Sequence, residues 1–422
     1  MLINSLKGVA AALAGAAMLT LAGCSTPCDA PGRLCAPIDS ITSPPPRARA
    51  EEPPPRIEPP QAETMRVEAP QVETMPVEAP GAGAAPIERT TRIGLMLPLR
   101  SEALGVPADA VRAGFMAAYE RDPTGFTVNL IETGDSAQDT LDAYATALEH
   151  NDIVVGPLAR SAVSALAASD LVKKPTIALN HPEARTGDGS LPPQMLVIGL
   201  SIEDEARQVA DWAGAEHPGG AAVIVSGSNS WQRRIAASFA AQWKQLGHAS
   251  QTIVLSDSNG YLSEAALGEL RAQVDAALPA LVFTALDPSQ AGQVRGAIGA
   301  DIPCYGTSSV NPGADPGNAI AALDGIRLLD LPWEVLPSHQ AVMTYPRWNT
   351  SGRTLDIDRL YALGIDAFRV AREITLHPGA DFRLDGVTGQ LSISFGNGPA
   401  RFQRVQPAAV YQGGVFTPAS LP

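Results

Sequence analysis

Fifteen of the chain's 37 prolines fall between Ser25 and Arg89, a stretch with no Phe, Trp or Tyr. Each proline lacks the amide that a helix or sheet ladder needs, and the segment has too little apolar bulk to cover a core. Within it, Gln61-Ala-Glu-Thr-Met-Arg-Val-Glu-Ala-Pro70 is followed at once by Gln71-Val-Glu-Thr-Met-Pro-Val-Glu-Ala-Pro80. A ten-residue repeat of this kind is expected to form a disordered, partly polyproline-II tether over 24–89. At ~3.1 Å per residue it would extend on the order of 200 Å, and as a coil roughly 45 Å. Every Trp and Tyr lies beyond it, so folding is expected in 90–422, long enough for a sizeable core.

Upstream of the tether, residues 1–23 read as an export signal. Lys7 gives the positive start, and Val9–Leu21 is an apolar run too short to span a hydrocarbon core of ~30 Å. The run ends in Leu21-Ala22-Gly23-Cys24, which resembles the bacterial lipobox. That resemblance makes Cys24 the lipidation site and the membrane anchor. Ser25 follows where an inner-membrane retention signal would place Asp, which by resemblance to diderm lipoproteins implies the outer membrane, facing the periplasm. In that oxidising compartment Cys28 and Cys35 either close a short disulfide loop or remain thiols. Cys304 reads as a small buried hydrophobe.

Charge and motif content exclude several classes. A net charge of −14 opposes nucleic-acid binding, which requires a basic surface. The four lysines are Lys7, Lys173, Lys174 and Lys244; none follows Gly and none has Ser three positions earlier. The chain therefore has neither a phosphate-binding Walker loop nor a Ser-x-x-Lys nucleophile. The six histidines are scattered, with no pair at metal-ligand spacing, and Ser226-Gly-Ser-Asn-Ser230 is not a nucleophile elbow. No cofactor, metal site or catalytic constellation is expected, and the chain reads as a non-enzyme.

From Arg92 onward, short apolar runs alternate with amphipathic helical stretches, twice over. The first set runs from Arg92–Leu99 to Ile202–Ala215, the second from Ala221–Val225 to Ile302–Tyr305. Continuous apolar strands separated by helices imply α/β lobes whose mostly parallel sheets are covered on both faces. Two sets imply two lobes with a cleft between them. Asp324–Trp333 reads as extended, Ile357–Ile374 as a long helix, Phe382–Phe395 as a hairpin, and Gln406–Val415 as one or two further strands. The expected division is lobe 1 over about 90–204 and 337–384, and lobe 2 over about 205–336 and 385–422. Asp356, Asp358 and Asp366 with Arg359 and Arg369 read as solvated helix charges.

Three segments, Arg92–Leu99, Ile153-Val-Val-Gly-Pro-Leu158 and Ile177-Ala-Leu-Asn180, resemble the first lobe of type I periplasmic binding proteins. With Ser230-Trp231, Asp324-Gly-Ile, Leu331-Pro-Trp333, Arg359-Leu-Tyr-Ala-Leu-Gly-Ile-Asp-Ala-Phe368 and Leu384-Asp-Gly-Val-Thr-Gly-Gln-Leu391, the chain resembles the LppC/LpoA family more particularly. Those proteins are outer-membrane lipoprotein activators of class A penicillin-binding proteins. The resemblance implies a two-lobed type I periplasmic-binding-protein-like body, a class A penicillin-binding protein as partner, and no helical-repeat domain where the tether stands.

The same resemblance places Pro98, Leu99, Gly156, Pro157, Leu158, Asn180, Ser230, Trp231, Thr307 and Ser308 along the cleft. Two readings of them stay open: contacts for a small ligand such as an amino acid, whose carboxylate would sit on free helix-start amides, or ordinary turns and caps. Trp231 and Trp333 read either as partner anchors or as core. The alternative function is a solute-binding protein for an amino acid or related polar ligand.

Overall fold

The computed structural model describes residues 90–183, 191–313, 320–349 and 353–421. The signal segment, Cys24, Cys28, Cys35 and the tether lie outside the described residues.

Lobe 1 opens with β1 (Thr91–Leu97), α1 (Gly105–Arg121), β2 (Phe126–Glu132), α2 (Ala137–His150), β3 (Ile153–Val155), α3 (Arg160–Ala167), β4 (Thr176–Ala178) and β5 (Met195–Val197). The five strands form one parallel sheet in the order β2-β1-β3-β4-β5. The unbroken apolar run of β1 follows from burial on both faces. Ile93, Leu95 and Leu97 enter one core with α1, while Met96 enters another with Tyr144 and Val163.

Lobe 2 continues with α4 (Ile202–Glu216), β6 (Ala222–Gly227), α5 (Ser230–Gln245), β7 (Ser250–Leu255), the small hairpin β8 (Asp257–Ser258) and β9 (Tyr261–Leu262), α6 (Glu264–Ala277), β10 (Leu281–Ala285), α7 (Pro288–Ile298), β11 (Cys304–Gly306) and β12 (Arg327–Leu329). β6 obeys the same logic as β1: Val223 and Val225 face one core, Ala222 and Ile224 the other. Cys304 is fully buried, and burial pushes its thiol up to about 11, as befits an inert core residue.

The chain then returns through the short helices α8 (Pro332–Val335) and α9 (Gln340–Met343) to α10 (Leu355–Leu376) and the antiparallel sheet β13 (Phe382–Asp385), β14 (Gln390–Ser394) and β15 (Arg401–Val405). It ends with β16 (Ala408–Gln412) and β17 (Val415–Ala419), which add antiparallel to β12 and complete the order β17-β16-β12-β11-β10-β6-β7.

The two-lobed α/β architecture is as the sequence pattern implies. Its partition differs in two places: Leu331 and Trp333, expected in lobe 2, pack in the lobe 1 core, so the return to lobe 1 comes directly after β12. Leu391, Ile393 and Phe395 pack in the lobe 1 core with Ile93, Phe115 and Phe368, so residues 385–405 belong to lobe 1 and the final crossing comes at Gln406. The expected hairpin also gains a third strand, β15. Trp333, expected in an extended run, sits in α8; it is fully buried in the lobe 1 core, with the Arg347 guanidinium 4.1 Å above its ring.

α10 is the spine of lobe 1. It lies against α1 so closely that a Cβ on Gly114 would fall 1.9 Å from the Tyr361 carbonyl oxygen, and one on Gly364 would fall 2.1 Å from that of Val111. Only glycine fits at either crossing point, and each helix supplies one.

Candidate functional site

The expected cleft residues lie where strands end. Pro98 and Leu99 follow β1, Gly156–Leu158 follow β3, and Asn180 follows β4. On lobe 2, Ser230 opens α5 after β6, and Thr307 and Ser308 follow β11. The chain's own bonds bring the lobe 1 turns together. Gly156 donates its amide to the Ile177 carbonyl at 2.8 Å, Leu179 donates to the Pro157 carbonyl at 3.0 Å, and Asn180 Nδ2 donates to the Leu158 carbonyl at 3.1 Å. Asn180 Oδ1 accepts the His181 amide at 2.9 Å.

Gly156 has φ +123°, and a Cβ there would meet the Met96 carbonyl oxygen at 2.0 Å. The glycine is required by strand packing.

Lobe 2 spends its strand-end groups in the same way. Asn229 and Gln232 form the capping box of α5, and Gln232 is held by Gln290 at 2.7 Å. Trp231 packs partly buried against the core beside α5. Thr307 Oγ1 is bonded to the Ser309 hydroxyl at 3.0 Å, and Thr307 is fully buried. Caps, turns and core packing thus account for most of the residues expected to line the cleft.

Ser308 leads to a different feature. Its amide donates to Glu205 Oε2 on α4 at 3.0 Å, and its carbonyl accepts from Arg359 on α10 at 3.0 Å. Glu205 Oε1 in turn accepts from Gln406 Nε2 at 3.0 Å, and the Gln406 amide donates to Gln208 Oε1 at 3.1 Å. The same guanidinium makes a two-point contact with Asp330, at 3.1 and 2.6 Å, and Asn311 Nδ2 donates to Asp330 at 2.7 Å. Arg404 donates to the carbonyls of Ile198 and Gly199 at 2.8 and 3.0 Å and to the Thr388 hydroxyl at 3.1 Å.

These bonds fall on all three places where the chain passes between lobes: after β5, after β12 and after β15. A continuous polar relay, Gln406–Glu205–Ser308–Arg359–Asp330–Asn311, ties the crossings to one another. Asp330 is fully buried and only 11% of the Arg359 side chain is exposed.

The relay perturbs its members. Burial, then the neighbouring Asp330 carboxylate, raises Glu205 above the ordinary carboxylate range. Burial alone would lower Arg359, but Asp330, Glu334 and Glu205 outweigh it and hold the guanidinium more firmly charged. Arg404 is lowered to about 10 by burial, against the pull of Asp366 and Glu205. Glu334 is partly exposed as a residue, yet its Oε1 is shut away from solvent with no hydrogen-bond partner. Burial and the Asp330 carboxylate push it up to about 8.

The helix charges expected to be solvated are therefore mostly not. Asp358 is buried and bonded to Arg353 Nε at 2.6 Å, and Asp366 is fully buried beneath the amides of Val387 and Thr388. Only Asp356 stands in solvent. Interior positions require these charges to be paired, and each has its partner within hydrogen-bond distance. Among the described residues, no group of three His, Cys, Asp or Glu side chains is placed to hold a metal ion.

The sequence family described as "LppC putative lipoprotein" matches residues 68–404, which include most of the body and nearly all of the relay. The chain belongs to this family. Among curated relatives, proteins named penicillin-binding protein activator LpoA match it. The one from Photobacterium profundum is 26% identical over 371 residues, covering 78% of this chain and 57% of that protein. The one from Haemophilus ducreyi is 26% identical over 318 residues, covering 71% and 50%. The chain spans about half the length of these relatives.

Among solved structures, one from Chromobacterium violaceum described as a "putative branched-chain amino acid ABC transporter" is 34% identical. Its TM-score is 0.62, and the match covers 76% of this chain and all of that one. The LpoA C-domain from Haemophilus influenzae, described as a regulator of PBP1A, is 22% identical with a TM-score of 0.62, covering 78% of this chain and all of that one. The latter likeness concerns the fold.

Proposed function

We propose that this lipoprotein is anchored in the outer membrane through Cys24 and binds and activates a class A penicillin-binding protein in the periplasm, without catalysing a reaction itself. The family match and the activators among the relatives support this reading, because the part they share with this chain is the folded body. The observation that carries it is the relay across the three crossings. A receptor that closes on a solute needs crossings that bend freely. Here they are joined by buried ionic bonds, and the strand-end turns have spent most of their polar groups on the chain itself. Such a body suits a docking platform whose two lobes are presented in one arrangement. Activation then follows from binding the active conformation of the synthase more tightly than the inactive one. The tether supplies reach from the outer membrane and raises the local concentration of the body near its target.

The test is to add the full mature chain, in detergent, to a purified class A penicillin-binding protein and count peptide cross-links in the product. Cross-linking rises with the chain and saturates; unchanged cross-linking at saturating chain contradicts the proposal. The Chromobacterium violaceum relative favours a second reading, a solute-binding protein for branched-chain amino acids. A saturable rise in melting temperature with leucine, isoleucine or valine would establish that reading instead.

A further inference from the structure

A recess of about 280 Å³ opens on the flank of lobe 1, away from the strand-end turns and the relay, between the end of α1, the segment after α9, and α10. Its polar lining is rich in donors and poor in free acceptors. Arg121 makes no hydrogen bond or ion pair within the described structure. Arg369 uses one amino group on Asp366, at 3.1 Å, and has its other donors free. Arg372 binds Asp122 at 2.9 Å and Glu373 at 2.7 Å, while its Nε is shut away from solvent with no acceptor. The Tyr345 hydroxyl bonds nothing among the described residues. The two acidic side chains present are already engaged: Asp122 by Arg372, and Glu373 by Arg372 and His377. The remaining wall is apolar, from Ala118, Phe368 and Leu384.

We propose that this recess binds a carboxylate carried on a peptide, with Arg121, Arg369 and Tyr345 as the recognising groups. Surplus donors require an acceptor, and a carboxylate offers two acceptor oxygens that match guanidinium geometry. Burial holds the Tyr345 hydroxyl above its ordinary value, so it remains a donor. A phosphate dianion would place more negative charge beside Asp122 and Glu373 and leave the apolar wall unused. The volume suits one residue-sized group, being at or below the lower end of small-molecule pockets at roughly 300 Å³. A peptide carboxyl end with a small apolar side chain satisfies all three conditions.

The test is calorimetric titration of the full chain, with no synthase present, so its outcome is independent of the activator role. The probes are N-acetyl-alanyl-alanine, the same peptide with its carboxyl end amidated, and inorganic phosphate. The free acid binds saturably in the millimolar range or tighter, and the amide binds about tenfold more weakly or not at all. Tyr345→Phe and Arg121→Ala each weaken the acid by about tenfold, whereas Arg383→Ala, on the open face of the β13–β15 sheet, leaves it unchanged. Tyr345→Phe removes a single oxygen that bonds nothing among the described residues, so it decides the matter even if Arg121→Ala disturbs folding. Equal binding of acid and amide, binding of phosphate in preference to the peptide, unaltered binding by Tyr345→Phe, or no saturable binding overturns the proposal.

Discussion

The strand-end turns and the interlobe crossings lie close together in the fold but solve their polar bookkeeping in opposite ways. At the turns, neutral groups bond to neighbours in the same lobe: Asn180 to Leu158, Thr307 to Ser309, Asn229 to Gln232. At the crossings, ionised groups bond across lobes, with Arg359 of lobe 1 held by Asp330 and Ser308 of lobe 2. Neutral local bonds fix the shape of a loop. Buried charges fix how the two lobes meet, because moving either lobe would leave a charge without its partner in a medium that cannot solvate it.

The largest break in this comparison is expected from Asp330→Ala, which leaves Arg359 enclosed and unpaired. Loss of one partner of a buried pair costs about 3–5 kcal/mol, measured by urea denaturation of the full chain. A loss as small as that at a surface pair would remove the distinction between crossings and turns.

An effect of opposite sign is expected from Glu334→Gln. Glu334 in the folded protein is pushed up to about 8, against an ordinary value of 4.5. Between those values the folded state holds a proton that the unfolded state has released, so stability falls as pH rises through the window. Removing the acid abolishes that fall: the variant melts higher than the parent at pH above about 8 and shows little gain near pH 4.5, as read by melting curves across the range.

The smallest change is expected from Asn180→Ala, about 1 kcal/mol for the lost neutral bonds, with the interlobe distance from solution scattering unaltered. A change in that distance would show that the turns, too, govern how the lobes meet.

The alternation of strands and helices was legible because two-sided burial leaves an unbroken apolar run, as in Ile93–Leu97 and Ala222–Val225. The lobe to which β14 belongs was not. Alternation of Leu391 and Ile393 with Ser392 shows that one face is buried, but not against which core. The relay was hidden for a related reason. Arg359 does make an i, i+3 pair with exposed Asp356, at 2.9 Å, the pattern of an ordinary surface charge. Its stronger contact is to a residue 29 positions earlier. One signal was present: Asp330 interrupts Leu328-Leu329-Asp330-Leu331-Pro332-Trp333, and a lone acid within such an apolar run must find a cation in the interior.

The paired glycines where α1 meets α10 set an order of assembly. Gly114 is complemented by a helix whose Gly364 is synthesised 250 positions later, after α4–β12 have emerged. The segments of lobe 2 can therefore begin to collapse while the groove on α1 is still vacant. The first part of lobe 1 is made before lobe 2, and it must hold its half-built core, without α10 and the β13–β15 sheet, until the later part of the chain arrives.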